Sequence, residues 1–157
     1  MSFDLASSYV SDKGYGDRIK VFEQSSATVE LAAIAVGTNP GNIAKSLTFM
    51  VNEKPVMIVC AGDVKIDNSK YKQQFSTKAK MLTREEVEEL IGHAVGGVCP
   101  FGIKEGVQVY MDISLKQYDP IYPACGSGNS AVELHEEELV ELSQSIGWID
   151  VTKPMNV

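Results

Sequence analysis

The fold is expected to depend on residues 92–102, which read GHAVGGVCPFG. Four glycines and a proline stand here among apolar residues, between a charged run that resembles a helix and an apolar run that resembles a strand. Glycine adopts backbone angles and permits close approaches that side chains forbid. Because a loop this apolar is an unusual solvent connector, we interpret it as the wall of a cavity. Two other segments are predicted to meet it there: Lys45 and the turn at 124–129, which reads ACGSGN.

Length and composition predict a single domain over residues 1–157. The chain is 44% hydrophobic and 22% charged, ordinary values for a globular protein, which exclude disordered and fibrous classes. No apolar run approaches the roughly 18–20 residues of a membrane span, and the first residues do not resemble a secretory signal. Cys60, Cys99 and Cys125 are an odd number without CxxC spacing. We therefore expect reduced thiols, a cytoplasmic location and no metal site.

Charge is unevenly distributed along the chain. The net charge is −7, yet residues 1–84 hold 11 Lys and Arg against 8 Asp and Glu, whereas residues 85–157 hold 3 against 13. A protein that coats nucleic acid would be basic throughout, so DNA binding and bulk RNA binding are disfavoured. Two interpretations stay open: the basic half contacts one end of an RNA, or the charges only maintain solubility.

Periodicity predicts one α/β domain, in which helices surround a mixed sheet. Ser25 and Ser26 are predicted to cap the second helix, which stops at Gly37, and a turn or short helix is expected from 39 through 44. Thr83 and Glu86 form a predicted capping box, and that helix stops at Gly92. Helices are predicted at residues 6–13, 28–36, 83–91 and 135–146. A further short helix is predicted to begin at a cap, either Asp67 or Ser69, and to end at residue 75. Strands are predicted at residues 18–22, 46–51, 55–60, 107–113, 121–124 and 130–134.

Two features are candidates for chemistry. Lys45 stands where a turn or short helix passes into a buried strand, and it either extends to solvent or is held in a pocket to meet an anion or a carbonyl group. The turn Gly126-Ser127-Gly128 either connects two strands or forms a nest of backbone N–H groups for an anion or oxyanion. The residues alone leave both pairs of alternatives open.

Cys99 is a candidate nucleophile or a small residue that lines the pocket. A nucleophilic thiol needs a base and a lowered pKa. The available histidines are His93, six residues earlier, and His135 at a predicted helix start. We therefore favour the lining role for Cys99 and a core position for Cys60.

Five segments occur in an order and spacing that resemble the YbaK/prolyl-tRNA-synthetase-associated editing domain family, also called INS-like or ProX-type trans-editing factors. The resemblance extends from about Ser11 to the last helix, and it implies a compact α/β fold with a mixed, partly barrel-like sheet. It also implies hydrolysis of the ester that joins a wrong amino acid to the 3′ end of a tRNA. The segments are TVELAA at 28–33, IAKSL at 43–47, AGD at 61–63, Gly92 with GGVCPFG at 96–102, and ACGSG at 124–128.

The resemblance also implies which residues form the site. Lys45 matches the functional lysine of the family. Gly96, Gly97 and Cys99 match its GGxSP loop. Cys99 stands where many members have serine, and its thiol is a poorer hydrogen-bond donor than a serine hydroxyl. The turn Gly126-Ser127-Gly128 matches the glycine-rich loop that closes the pocket.

The expected chemistry needs no cofactor and no metal. An aminoacyl ester is activated, so it suffices to place water or the neighbouring ribose hydroxyl at the carbonyl and to stabilise the oxyanion. Gly126–Gly128 would hold the oxyanion or the terminal ribose, and Lys45 would anchor the terminal adenosine or the ester carbonyl. A pocket of Val29, Leu31, Gly97 and Cys99 would select a small side chain by size.

The expected substrate is alanine, serine or cysteine on a tRNA, with proline tRNA favoured, and an aminoacyl-tRNA synthetase is a candidate partner. Two alternatives stay open. One is a non-catalytic module that uses the same pocket to bind a small ligand or a synthetase, and the other is a thiol hydrolase that uses Cys99.

Overall fold

A computed structural model describes residues 2–156; Met1 and Val157, the ends of the predicted domain, lie outside them. The helices are α1 (Ser2–Asp12), α2 (Val29–Val36), α3 (Asn68–Phe75), α4 (Arg84–Glu86, continued by a π-helical turn Val87–Ile91) and α5 (Glu136–Ser143). The strands are β1 (Ile19–Val21), β2 (Ile43–Val51), β3 (Lys54–Ala61), β4 (Val64–Ile66), β5 (Gln108–Asp112), β6 (Tyr122–Pro123), β7 (Ser130–Val132), β8 (Trp148–Ile149) and β9 (Thr152–Pro154).

A mixed five-stranded sheet, in the order β6-β2-β3-β5-β8, forms the centre of the molecule. Only β2 and β3 are antiparallel; β6, β5 and β8 each run parallel to their neighbour. Two small antiparallel sheets, β1-β7 and β4-β9, stand beside it. The predicted mixed α/β architecture is confirmed.

The β2–β3 hairpin is the longest strand pairing among the described residues, and β2 lines the candidate site described below. Asn52 and Glu53 form its two-residue loop, both with positive φ (50° and 67°), as tight hairpins require. Residues 56–59 of β3 are buried because one large apolar cluster covers one face of the strand and an aromatic-rich cluster covers the other, and Cys60 and Ala61 are buried in a small third cluster with Val64.

Helix ends follow local signals, with one exception. Asp67 accepts hydrogen bonds from the N–H groups of Ser69 and Lys70, and the Thr83–Glu86 capping box is complete. Gly37 and Gly92 end their helices in the left-handed conformation. The predicted cap at Ser25-Ser26 is wrong: Thr28 caps α2 and accepts the N–H of Leu31 at 3.2 Å.

Several other boundaries differ from the prediction. The 3₁₀ turn at Pro40–Asn42 ends before Ile43, so Lys45 lies within β2 rather than at its entrance. α1 begins four residues before the predicted start, and α5 ends at Ser143 rather than at 146. The short strands β4, β8 and β9 were not predicted. None of the helices within residues 2–156 is both long enough and apolar enough to cross a bilayer.

Candidate functional site

A cleft of about 420 Å³ opens along the outer edge of β2. Its walls come from the segment that leads into α2, from β2 itself, from residues 81–87, from the glycine-rich loop before β5, and from β6 and β7. The lining residues are Ser26, Ala27, Thr28, Val29, Ala32, Ile43, Ala44, Lys45, Ser46, Leu47, Thr48, Met81, Leu82, Arg84, Val87, Val95, Gly96, Val98, Tyr122, Ala124, Ser130 and Ala131.

The cleft is positively charged although the protein is acidic. Among residues 2–156, the charged side chains that line it are Lys45 and Arg84, and no Asp or Glu joins them. The phenol of Tyr122 donates to a carboxylate oxygen of Glu133 at 2.9 Å, and burial raises the pKa of Tyr122 to about 12, so this group stays neutral. The cleft therefore suits a ligand that brings negative charge or a polarised carbonyl group.

Lys45 is held at the cleft by a contact within the protein. It lies opposite Cys60 of β3, is half-buried, and its Nζ donates a hydrogen bond to the carbonyl oxygen of Val64 in β4. The ammonium group keeps two further N–H donors for a ligand. The side chain of Lys45 therefore lines the cleft, and its contact with an anion or carbonyl group of a ligand stays a prediction.

The two glycine-rich turns meet through their main chains. Gly97 lies against the turn after β6, where an added Cβ would come 2.5 Å from the carbonyl carbon of Gly126 and 2.7 Å from Cα of Ser127. Gly96, with φ of 100°, lines the cleft beside Ala27. The loop at 92–102 and the turn at 124–129 therefore meet, and both reach the cleft that Lys45 lines, the loop through residues that include Gly96 and the turn through Ala124.

The turn after β6 satisfies many of its own polar groups. The hydroxyl of Ser127 donates to Oδ1 of Asn129 at 2.9 Å and lies 2.7 Å from the hydroxyl of Ser130. The carbonyl oxygen of Gly128 accepts the N–H of Ser26 at 2.7 Å, which joins the turn to the segment before α2.

The turn Gly126-Ser127-Gly128 itself does not line the cleft. Ala124 and Ser130, which flank it, line the cleft, whereas Gly126, Ser127 and Gly128 do not. The backbone N–H of Gly126 is directed at the buried sulfur of Cys99. Gly97 also lies behind the wall, because Gly96 and Val98 on either side form the lining.

Cys99 is fully buried in the core rather than exposed to the cleft. Its sulfur lies 3.5 Å from Nε2 of His93, and the same nitrogen lies 2.7 Å from the carbonyl oxygen of Phe101. Because a carbonyl oxygen only accepts hydrogen bonds, Nε2 carries a proton and has no lone pair for the thiol proton. Burial lowers the pKa of His93 and raises that of Cys99 far above its ordinary value. Two neutral groups do not form a thiolate nucleophile, and direct contact between Cys99 and a substrate has no geometric basis.

The two predicted apolar selectors on α2 take different positions. Val29 lines the cleft and would contact an added Cβ on Gly62. Leu31 is 41% exposed and is not a lining residue. The reason is helical geometry: Ala32, three residues after Val29, shares its face, whereas Leu31 points away.

Two serines that sequence reasoning missed line the cleft. Ser26 and Ser46 have buried hydroxyl oxygens for which no hydrogen-bond partner exists within residues 2–156. A buried hydroxyl without a partner is costly, so a ligand is expected to provide one. No local sequence signal identifies these serines, because Ser26 is placed by its bond to Gly128, far away in the chain, and Ser46 by the strands that pair with β2.

No three His, Cys, Asp or Glu side chains of the described part of the chain come together as a metal site would require. The cleft provides two cationic side chains, polar main-chain groups, walls of small residues and two hydroxyl groups without a hydrogen-bond partner among the described residues.

Comparison with known proteins gives a consistent picture. A family profile for the aminoacyl-tRNA editing domain matches residues 23–142. YwhH of Bacillus subtilis, an uncharacterised protein, is 53% identical over 133 residues, which are 84% of this chain and 85% of YwhH. EbsC of Enterococcus faecalis, a candidate Cys-tRNA(Pro)/Cys-tRNA(Cys) deacylase, is 29% identical over 74% of this chain and 72% of its own length.

Two further comparisons involve prolyl-tRNA synthetases. A proline–tRNA ligase of Aquifex aeolicus is 34% identical over 98 residues, which are 61% of this chain but 17% of that enzyme. A crystal structure of a candidate trans-editing enzyme for prolyl-tRNA synthetase superimposes with a TM-score of 0.87 at 27% identity and covers 97% of both chains.

Proposed function

Because the chain belongs to the aminoacyl-tRNA editing domain family, we propose that it is a trans-editing deacylase. It hydrolyses the ester of a tRNA that carries a wrong, small amino acid, and it acts in the cytoplasm, where tRNAs are charged. The observation that carries this proposal is the cleft of Lys45 and Arg84, free of carboxylates within residues 2–156, on a protein of net charge −7. An RNA terminus brings phosphates and an ester carbonyl, and both favour such surroundings.

In the proposed reaction, water adds to the ester carbonyl carbon. The bond from that carbon to the ribose oxygen then breaks, the ribose oxygen takes a proton, and the free amino acid leaves. The ammonium of Lys45 donates its free N–H groups to the substrate carbonyl or to the terminal nucleotide. The turn Gly126–Gly128 acts indirectly in this proposal, because it positions Ala124 and Ser130, which flank it and line the cleft.

Substrate size is the proposed basis of selection. Gly96 and Val29 leave room for a small side chain, and walls of this kind reject larger residues better than smaller ones. Proline tRNA charged with alanine, serine or cysteine is the proposed substrate, because the relatives include proline–tRNA ligases and a candidate Cys-tRNA(Pro) deacylase. A synthetase that delivers this tRNA is the proposed partner.

The test is a deacylation panel of Ala-, Ser- and Cys-tRNA(Pro), with correctly charged Pro-tRNA(Pro) as the reference. We expect Lys45→Ala to lower kcat/KM on the preferred substrate by about 100-fold, in line with the loss of a charged donor at a developing oxyanion. Lys72→Ala is the matched control, because Lys72 is an exposed lysine of α3 outside the cleft. Cys99→Ser is expected to keep activity.

The outcomes separate the competing functions. A folded wild type that deacylates none of the charged tRNAs would support the binding module and refute the proposal. Full activity of Lys45→Ala would remove Lys45 from the mechanism, and inactivation by Cys99→Ser would restore the thiol hydrolase.

A further inference from the structure

The outer edge of β2 is interrupted in the middle of the cleft. β6 pairs with Ile43 and Ala44 at one end of this edge. At the other end, Thr48 accepts the N–H of Leu82, and Met50 donates to the carbonyl oxygen of Lys80. Within residues 2–156, no strand pairs with residues 45–47 on this side.

The direction of the free groups follows from strand alternation. In an antiparallel pair, the N–H and C=O of one residue point together, toward the partner strand or away from it. Those of Thr48 and Met50 point away from β3, toward residues 80–82. Ser46, two residues before Thr48, therefore points its N–H and C=O the same way, into the gap, and all of residues 44–48 line the cleft.

The gap accepts only certain chemical groups. Its main chain offers one donor beside one acceptor, and the Ser46 hydroxyl beside them lacks a partner among the described residues. A phosphate only accepts hydrogen bonds, and a protonated amino group only donates them, so each would leave one main-chain group unpaired. A peptide strand would find little to pair with, because Ser46 is the one residue of the gap whose N–H and C=O point outward. A flat ring with a donor next to an acceptor on its edge satisfies both groups.

We propose that Ser46 binds the base of the terminal adenosine of the tRNA through its main chain. The N–H of Ser46 donates to N1 of adenine, and the carbonyl oxygen of Ser46 accepts from the N6 amino group. Apolar lining residues such as Leu82 and Val98 provide the dry surroundings in which such bonds discriminate. This inference rests on the proposed function, since the tRNA supplies the adenine, and it gives the enzyme a contact that every tRNA presents.

The kinetic test uses acceptor-stem RNA hairpins that carry the amino acid the enzyme removes fastest. One hairpin ends in adenosine, one in purine riboside, which lacks the N6 amino group, and one in inosine, which reverses the donor and acceptor. We expect kcat/KM to fall about tenfold for purine and about 100-fold for inosine, as one lost and two mismatched hydrogen bonds predict. Ser46→Ala keeps both main-chain groups, so it must keep the preference for adenosine over purine.

Equal rates for adenosine and purine would overturn the proposal while leaving the deacylase function intact. A preference that disappears in Ser46→Ala would assign the contact to the hydroxyl and would also overturn it. A binding measurement covers the case of an inactive wild type: 5′-AMP should shift the amide resonance of Ser46, and purine riboside 5′-monophosphate should shift it less. No shift with AMP would refute adenine binding whatever the enzyme's activity.

Discussion

At the scale of single residues, Gly97 illustrates how closely two main chains approach in this protein. The Gly126–Ser127 backbone occupies the space where any side chain at position 97 would stand. Backbone atoms in a turn that several hydrogen bonds hold in place do not move aside as the end of a flexible side chain would. The glycine is therefore required by contact with another segment rather than by its own backbone angles.

We predict that Gly97→Ala destabilises the protein by about 2 kcal/mol or more, as overpacking against backbone does, and lowers deacylation because the cleft wall shifts. Gly147→Ala is the control, since an added Cβ there meets nothing within 4 Å. Chemical denaturation of both variants measures the difference. Equal free energies of unfolding for the two would contradict the close contact.

At the scale of elements, one buried carboxylate holds the C-terminal segment to the sheet. Asp112, at the end of β5, is fully buried and accepts hydrogen bonds from the N–H groups of Ser114 (3.0 Å) and Val151 (2.9 Å) and from the hydroxyl of Thr152 (2.7 Å). These bonds place Val151, which lies between β8 and β9, and Thr152, the first residue of β9, beside the central sheet.

We predict that Asp112→Asn costs about 2 kcal/mol, because an amide nitrogen cannot accept and one of the three donors is left buried without a partner. The control is Asp150→Asn in the same segment, where an exposed ion pair with Lys70 at 3.0 Å is lost. Such pairs contribute less than about 1 kcal/mol. A larger effect at Asp150 than at Asp112 in thermal unfolding would contradict this account.

Elements that are set by neighbouring residues can be predicted from the sequence, whereas elements that are held by distant residues cannot. The Thr83–Glu86 capping box and the Gly37 helix end are local signals, and both predictions are confirmed. β8 and β9 are two and three residues long, and Asp112 holds the segment between them from across the chain, so no local pattern reveals them.

The residues of the candidate site also differ in whether the sequence predicts them. The local sequence predicts Lys45 and the glycine turns as candidates. It does not predict the gap in β2 or the hydroxyls of Ser26 and Ser46, which have no hydrogen-bond partner within the described residues. These depend on which strands stop short of one another, a property of the assembled sheet.

At the scale of the whole molecule, two histidines give opposite dependences of stability on pH. Burial lowers the pKa of His93 below its ordinary 6.5, so the unfolded chain binds its proton first and stability falls as pH drops below about 6.5. A hydrogen bond with Asp119 raises the pKa of His135, which therefore adds stability at low pH that is lost as pH rises through the folded value.

We predict that the melting temperature falls between pH 7 and pH 5, that His93→Gln flattens this fall, and that His135→Gln steepens it. Thermal unfolding of the three proteins at matched ionic strength measures the slopes. The slope rather than the absolute stability is the readout, because His93→Gln also changes a buried contact. An unchanged slope in His93→Gln would show that His93 is not the group responsible.

The charge distribution also predicts how binding of the proposed RNA substrate responds to salt. With Lys45 and Arg84 as the cations of the cleft within residues 2–156, the slope of log Kobs against log salt should be about −1.4, the value for two contacts to a single strand. Arg84→Ala should reduce its magnitude by about 0.7. A slope several times steeper would mean that RNA contacts a surface beyond the cleft.

The gap in β2 has a consequence for how this protein coexists with other chains. An unpaired strand edge normally invites a foreign strand and so promotes aggregation. Here the free edge is three residues long, recessed in a cleft and bounded at both ends by the protein's own pairings. A foreign strand would gain only the one pair of hydrogen bonds that Ser46 offers, so this edge adds little to the tendency of the protein to aggregate, while it keeps room for the proposed nucleobase.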